Sequence, residues 1–486
     1  MIDTNTISPV LERPDSATTE SYAPVCIAEV ELAEILPTLT TVNGQTGQHY
    51  QSIHCVVRLH SQPLGIVKLD CGDGMVVEPH QYAPSIWNAL HQQINDHLQS
   101  DGLPTIGELS AAGLWWSRTP ACIVAREEFL ANAPLVSVIV STHDRADRLV
   151  SCLQALFALR YPAYEIIVVD NAPSTADTFE LVQRLQESAP NLRYEREDRQ
   201  GLSWARNRGI RAAKGEILAF TDDDVIVDPL WLVEMVRAFQ GSEKVACVTG
   251  LVLALELETV NQAWFEQYGG FSKGFTRRIF DLHEHHPNTF LFPYSAGKFG
   301  TGASIAFTAA FLHQVGGFDP ALGAGSPAQG GEDLAAFFQV IMEGYTLVYE
   351  PSSLVYHQHR RDYAALHKQI YNYGLGLTAY LTKNIVDHPS RALDLLIKIP
   401  FAAFFLFRDR LLSSRKKSKL IDDGDQNMVP YPKQLITLEI KGMFYGPGAY
   451  LKGQRASGRD REDASSKKKL PYRVSRGAGE LLRSPS

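Results

Sequence analysis

From Pro134 onward the chain alternates short apolar runs with segments of helical spacing, and no other feature restricts its fold as tightly. "LVSVIVSTHDR" (135–145), "YEIIVVDNAPS" (164–174) and "EILAFTDDDV" (216–225) are apolar runs that each end in polar residues. Between them lie "ADRLVSCLQALFAL", "ADTFELVQRLQES" and "SWARNRGIRAAK", whose apolar residues recur at helical spacing. Such alternation predicts βαβ units and a parallel sheet buried on both faces. Right-handed crossovers place the strand C-termini on one edge, where open α/β sheets bind ligands. The polar run ends therefore belong to a rim, not to the core.

The chain has 486 residues, more than the roughly 250–300 at which single cores usually divide. Five segments are expected: 1–21 disordered, 22–133 a small α+β domain, 134–365 the α/β domain, 366–451 a helical extension, and 452–486 a disordered basic tail. In the second segment, polar–apolar alternation between turn signals ("SIHCVVRLHSQPLGIVKL") predicts a small antiparallel sheet, followed by the helix "SIWNALHQQINDHLQS". A net charge of -8 argues against bulk binding to nucleic acid. The six cysteines include no CxxC pair and fit a reducing compartment better than a disulfide scaffold or a zinc site. The first twenty residues have neither the basic nor the apolar region of a secretory signal. The apolar stretch "LDLLIKIPFAAFFLFRDRLL" is interrupted by Lys398, Pro400, Arg408 and Asp409. It reads as a buried or interfacial helix, since a span needs about 20 mostly apolar residues.

The acidic residues at the rim carry the chemistry. Asp222, Asp223 and Asp224 end an apolar run, and adjacent carboxylates are costly to desolvate unless a cation meets them. Magnesium and manganese favour such oxygen ligands. Asp222 and Asp224 share a side of an extended segment, because the side-chain period is two, so they are expected to converge on one ligand. Asp228, before Pro229, serves as the cap of the following helix. Further on, "GGED" sets Glu332 and Asp333 at a helix start, where acids are favoured. The run "YEPSSLVYHQHR" delivers His357 and His359 to another strand end.

Residues 134 to about 361 resemble the catalytic domain of family 2 glycosyltransferases. The resemblance rests on "VSVIVSTHDR", "IIVVDNAPS", "GLSWARNRG", "FTDDDV", "GTGASIAF", "GGFDPALG", "GGEDLAAFF" and "VYHQHR", in that order. It implies a GT-A fold, α/β with a mostly parallel sheet flanked by helices, and inverting transfer of a sugar from a nucleotide-sugar, most simply a UDP-sugar. By this resemblance Thr142, Asp144, Asp170, Arg206, Asp222 and Asp223 lie at the nucleotide-sugar. Asp222, Asp224 and His357 hold Mn2+ or Mg2+. Asp333 is the general base, with Glu332 beside it. Asp144 stands where the family commonly has asparagine.

The expected acceptor is a hydroxyl on a glycan or lipid-linked saccharide, with no nucleic acid involved. The expected location is cytoplasmic, with peripheral contact to the inner membrane face through the C-terminal region. One rival reading is a nucleotidyltransferase that forms nucleotide-sugars, but "STHDRADRL" lacks its glycine-rich phosphate loop. The other is a degenerate glycan-binding scaffold, against which the joint presence of Asp222, Asp224 and Asp333 argues.

Overall fold

The structure is a computed structural model that describes residues 22–44, 46–72, 74–242, 244–398, 400–401 and 429–458. The N-terminal segment 1–21, most of the apolar stretch after 392, and the tail beyond 458 lie outside the described residues.

The N-terminal unit comprises β1 (Val25–Glu31), β2 (Leu39–Thr40), β3 (Ser52–Leu59), β4 (Gln62–Asp70), β5 (Val76–Val77), α1 (Pro79–Ser100) and α2 (Ala121–Leu130). β3 and β4 form the expected antiparallel hairpin, but β1 joins β3 in parallel, so the three-stranded sheet is mixed. The long connection 32–51 permits this: it returns the chain to the strand start, which a tight hairpin cannot do. The hairpin turns at His60 and Ser61, both with positive φ (54° and 70°). α1 lays Ile86, Leu90, Ile94 and Leu98, spaced by four residues, into the core of this unit.

The second unit runs β6 (Val136–Thr142), α3 (Ala146–Phe157), β7 (Tyr164–Asn171), α4 (Asp177–Gln186), β8 (Leu192–Glu197), α5 (Leu202–Ala212) and β9 (Ile217–Asp222). Then follow β10 (Val225–Val227), α6 (Trp231–Arg237), β11 (Val245–Ala254), α7 (Val260–Tyr268), β12 (Arg278–Phe280), β13 (Ile305–Thr308), α8 (Ala309–Val315), α9 (Glu332–Met342) and β14 (Thr346–His357). Eight strands lie in the order β10-β14-β11-β13-β9-β6-β7-β8, and β12 pairs with β14 as the ninth. The block β9-β6-β7-β8 is wholly parallel, as the alternation predicts, while β10, β12 and β13 run antiparallel to their neighbours. Both faces are apolar: Val138, Val140 and Val168 pack into one core, Ile139, Ile167 and Val169 into the other.

The C-terminal helices are α10 (Tyr363–Asp387) and α11 (Lys433–Ala456). α10 begins three residues before 366, because Asp362 caps it by accepting a hydrogen bond from the Ala365 amide. α11 continues past 451 into the segment expected to be tail. A side chain at Gly374, Gly442 or Gly446 would meet the facing helix directly, so these two helices approach backbone to backbone. No helix among the described residues is long and apolar enough to cross a membrane.

Buried ion pairs join the first two units. Arg58 donates to Asp228 Oδ2 at 2.6 Å, and Arg126 donates to Glu234 at 2.7 Å. Asp228 also accepts from the Leu230 amide, so it fixes the turn ahead of α6, whose own cap position is Leu230.

Candidate active site

The rim forms where β6, β7 and β9 end together. Register places Thr142 opposite Asp170, and Ser141 opposite Asp222. Asp170 is fully buried and accepts a hydrogen bond from Tyr194 at 2.9 Å. Its Oδ1 has no hydrogen-bond partner among the described residues, and burial raises its pKa. Asp144, at φ 51°, accepts from the Ser174 amide and hydroxyl, tying the loop after β6 to the loop after β7. Those two bonds hold its carboxyl below the ordinary range.

Asp222 and Asp224 do not share one side of a strand. β9 ends at Asp222 and β10 starts at Val225, so Asp223 and Asp224 form a turn and the period-two argument fails there. The turn carries the chain onto the end of β14, where Val225 pairs with His357. This pairing sets His357 Nε2 at 3.3 Å from Asp224 Oδ1. Arg360 lies 3.2 Å from the other carboxylate oxygen, and Arg145 and Arg148 each lie 3.7 Å from it. Burial pushes Asp224 up, but His357 and Arg360 prevail and hold it well below the usual carboxylate range. Asp223 points inward, accepting from Thr142 at 2.8 Å and from Arg145 at 3.3 Å. Burial, and then Asp224 beside it, push Asp223 up to about 6. Asp222 keeps 31% of its side chain accessible and meets Arg206 at 3.4 Å.

Arg206 is the hub of the second acidic corner. Besides Asp222 it donates to Glu332 Oε1 at 3.2 Å and to the Gly302 carbonyl at 3.1 Å. It is 2% exposed, so it braces both corners from beneath. Gly331, in the left-handed region at φ 86°, turns the chain into α9. The turn sends Glu332 inward to Arg206 and leaves Asp333 half-buried on the cleft wall. Burial, and then the charge of Asp333, push Glu332 up to about 7. Asp333 accepts from the Gly302 amide at 3.0 Å and from the Leu334 amide at 2.8 Å.

A cavity of about 800 Å³ opens beside these parts, lined by Glu332 and Asp333 together with Arg145, Arg148, Lys273, Arg360 and Tyr373, while Asp222, Asp224 and His357 are not among its lining residues. Reading the sequence for acids singles out none of these cations. Arg145 and Arg360 nevertheless stand inside the quoted motifs "VSVIVSTHDR" and "VYHQHR", within three residues of a strand end. Lys273 carries no such signal, because the 268–277 loop places it.

The expected metal ligands fit a divalent cation in part. Asp224 and His357 face one another, an oxygen and a nitrogen donor at one point. Asp222 is not drawn into that pair, because these three do not form a group whose ligand atoms all lie within 4.8 Å. Two protein ligands completed by substrate phosphates is the usual arrangement for magnesium. The cleft as a whole can hold an anionic leaving group against three arginines and present a carboxylate to a hydroxyl in the same cavity.

Residues 137–296 match the sequence profile of "Glycosyl transferase family 2". The chain is 38% identical over 115 residues to a glycosyltransferase, AglE, of Haloferax volcanii, covering 23% of this chain and 38% of that protein. It is 26% identical over 246 residues to a chondroitin synthase of Escherichia coli, covering 46% of this chain and 34% of that one. The chain thus spans well under half the length of either relative. Among solved structures, a mannosyltransferase from Pyrobaculum calidifontis, in complex with GDP-Man and Mn2+, aligns at 20% identity with a TM-score of 0.41. That alignment covers 69% of this chain and 94% of the other.

Proposed function

We propose that this chain, a glycosyltransferase by the family 2 domain at residues 137–296, transfers a sugar with inversion from a nucleotide-sugar, a UDP-sugar, to an acceptor hydroxyl. The observation that carries the reading is the shared cavity: Asp333 and the cations Arg145, Arg148 and Arg360 line one space. In the reaction, the acceptor oxygen bonds to the anomeric carbon as the bond from that carbon to the diphosphate breaks. Asp333 takes the hydroxyl proton; its two amide contacts fix the carboxylate without neutralising it. The arginines meet the charge that develops on the leaving diphosphate. Asp224 and His357, with Asp222 nearby, would hold Mn2+ or Mg2+, which would supply Lewis-acid stabilisation of the same charge. Thr142, Asp144 and Asp170 shape the rim on the nucleotide side, and Asp223 anchors the turn between strand and metal ligand.

A glycan or a lipid-linked saccharide is the acceptor in this reading. Peripheral membrane contact is supported by exposed Leu393, Leu396, Ile397 and Phe401 on the helical stretch after α10, spaced along one face. Wild-type protein that stays wholly in the supernatant with anionic vesicles at low salt excludes that contact.

The test of the main reading is a screen of nucleotide-sugars by thermal shift with manganese, followed by product analysis. A glycoside with inverted anomeric configuration is expected. Nucleotide-sugar formation from a nucleoside triphosphate points to the nucleotidyltransferase rival, and binding without turnover of any donor points to a scaffold.

A further inference from the structure

A second cluster of metal-ligand side chains lies in the N-terminal unit, outside the cleft. His60 Nδ1 is 2.6 Å from Asp101 Oδ2 and 3.1 Å from His97 Nε2. His97 Nε2 is 3.1 Å from the same Oδ2, and Cys122 Sγ is also 3.1 Å from it. The four ligand atoms all lie within 4.8 Å of one another. The side chains of His60, His97 and Asp101 are 2%, 8% and 3% exposed.

Hydrogen bonding alone explains this grouping poorly. Three donors would have to share one carboxylate oxygen. If both imidazoles donate, two N–H groups face each other across 3.1 Å. The other ring nitrogen of His60, Nε2, is buried without a hydrogen-bond partner among the described residues, so among them Nδ1 alone gives the buried ring a polar contact. His60 also sits at φ 54°, a conformation that costs free energy in a residue other than glycine. Asp101 Oδ1, by contrast, is occupied: it accepts from the Cys122 amide at 2.9 Å, which orients the carboxylate and leaves Oδ2 for the centre.

We propose that His60 Nδ1, His97 Nε2, Asp101 Oδ2 and Cys122 Sγ form a closed, four-coordinate site for a structural zinc ion. Two imidazoles, a thiolate and a carboxylate suit zinc, whereas magnesium and manganese prefer all-oxygen shells. With zinc bonds of about 2.0–2.3 Å, a tetrahedron has edges of about 3.3–3.7 Å, so the shortest ligand contacts open around the ion, the His60–Asp101 one by about 0.7 Å. Four protein ligands leave no open position, which makes the role structural. The ligands stand 37, 4 and 21 residues apart in the chain, so no CxxC spacing betrays them.

The ion would tie the β3–β4 turn, the end of α1 and the start of α2 together. This is the surface by which the unit docks. Arg126 of α2 donates to the His60 carbonyl at 3.1 Å and to Glu234 of α6. Zinc at this site therefore braces the helix that packs against the catalytic sheet.

The test uses the full chain, expressed with zinc and dialysed against a chelator strong enough to clear the cleft of manganese and magnesium. Elemental analysis is expected to find about one zinc per chain, in keeping with the tight binding of structural sites. Cys122→Ala and His97→Ala are expected to fall to background and to melt at a lower temperature. Asp224→Asn should retain its zinc, which separates this site from the catalytic cleft. Cobalt exchanged into the wild-type chain should give a near-ultraviolet thiolate-to-cobalt absorption band. A zinc-free wild-type chain after reconstitution, or full zinc in Cys122→Ala, overturns the proposal. If Cys122→Ala does not fold, a wild-type cobalt form without the thiolate band overturns it equally.

Discussion

The two acidic corners of the cleft, Asp222–Asp224 and Glu332–Asp333, hold carboxylates in contrasting surroundings. Asp224 sits among His357, Arg360, Arg145 and Arg148, so it stays ionised despite burial. Glu332 is equally buried but has one cation, Arg206, shared with Asp222 and a carbonyl, so its affinity for a proton rises. Asp333, one residue on, accepts from two backbone amides and looks into the cavity that Lys273 also lines. Adjacent acids thus separate into anchoring, proton-holding and cavity-facing groups according to the number of cations each meets. In the proposed reaction the first corner would bind anions and metal and the second would move a proton.

The largest effect should come from disabling the first corner. Asp224→Asn is expected to abolish both manganese-dependent UDP binding, measured by calorimetry, and transfer. Unchanged UDP affinity would erase the distinction between the corners. Next, Asp333→Asn should bind donor nearly as the wild type does while single-turnover transfer falls about 100- to 10,000-fold. A parallel loss of donor affinity would put Asp333 in the binding corner instead. Arg360→Gln removes one charge-assisted contact, for which about a ten- to hundred-fold weaker UDP affinity is expected, with turnover at saturation less affected.

The smallest effect is on stability. Glu332, near 7, and Asp223, near 6, have folded-state pKa values above those of free carboxyls. Such groups favour the folded state most below about pH 4 and lose that contribution as pH rises towards 7. Asp224 works in the opposite sense, with its contribution lost only in strong acid. Thermal melting should therefore decline between pH 5 and 8 less steeply in Glu332→Gln than in the wild type, and that variant should retain more activity than Asp333→Asn. Equal slopes would show that Glu332 is already ionised at pH 5.

Much of the first corner is legible in the sequence, because Thr142, Asp170 and Asp222 end apolar runs in a parallel block whose register follows from the βαβ rule. The geometry of Asp224 is not legible. Its placement depends on a two-residue turn and on an antiparallel pairing with β14, more than a hundred residues away. "GGED" marks the second corner as a helix start, but that Glu332 turns inward and Asp333 outward is fixed by Arg206, on a separate helix. The N-terminal sheet misleads for a similar reason. Alternation reports which face of a strand is buried, not the direction of its neighbour, so the parallel β1–β3 pair has no local signature. The cations around Asp224 come from the start of α3 and from the loop after β14, and only their convergence gives them a shared role.

The turn that aims Asp333 also limits how the catalytic unit can be handled as a part. A methyl group at Gly331 would come within 2.5 Å of the Gly376 carbonyl on α10, and one at Gly376 within 2.9 Å of Gly330. The loop that orients Asp333 therefore lies directly on the backbone of α10, and both lie beyond the matched family segment 137–296. A fragment cut at 361, or a chimera carrying residues 134–361 on another protein's C-terminal helices, would inherit every quoted motif without the surface that aims Asp333. Swapping acceptor preference by exchanging whole catalytic segments should fail in this chain unless α10 travels with them.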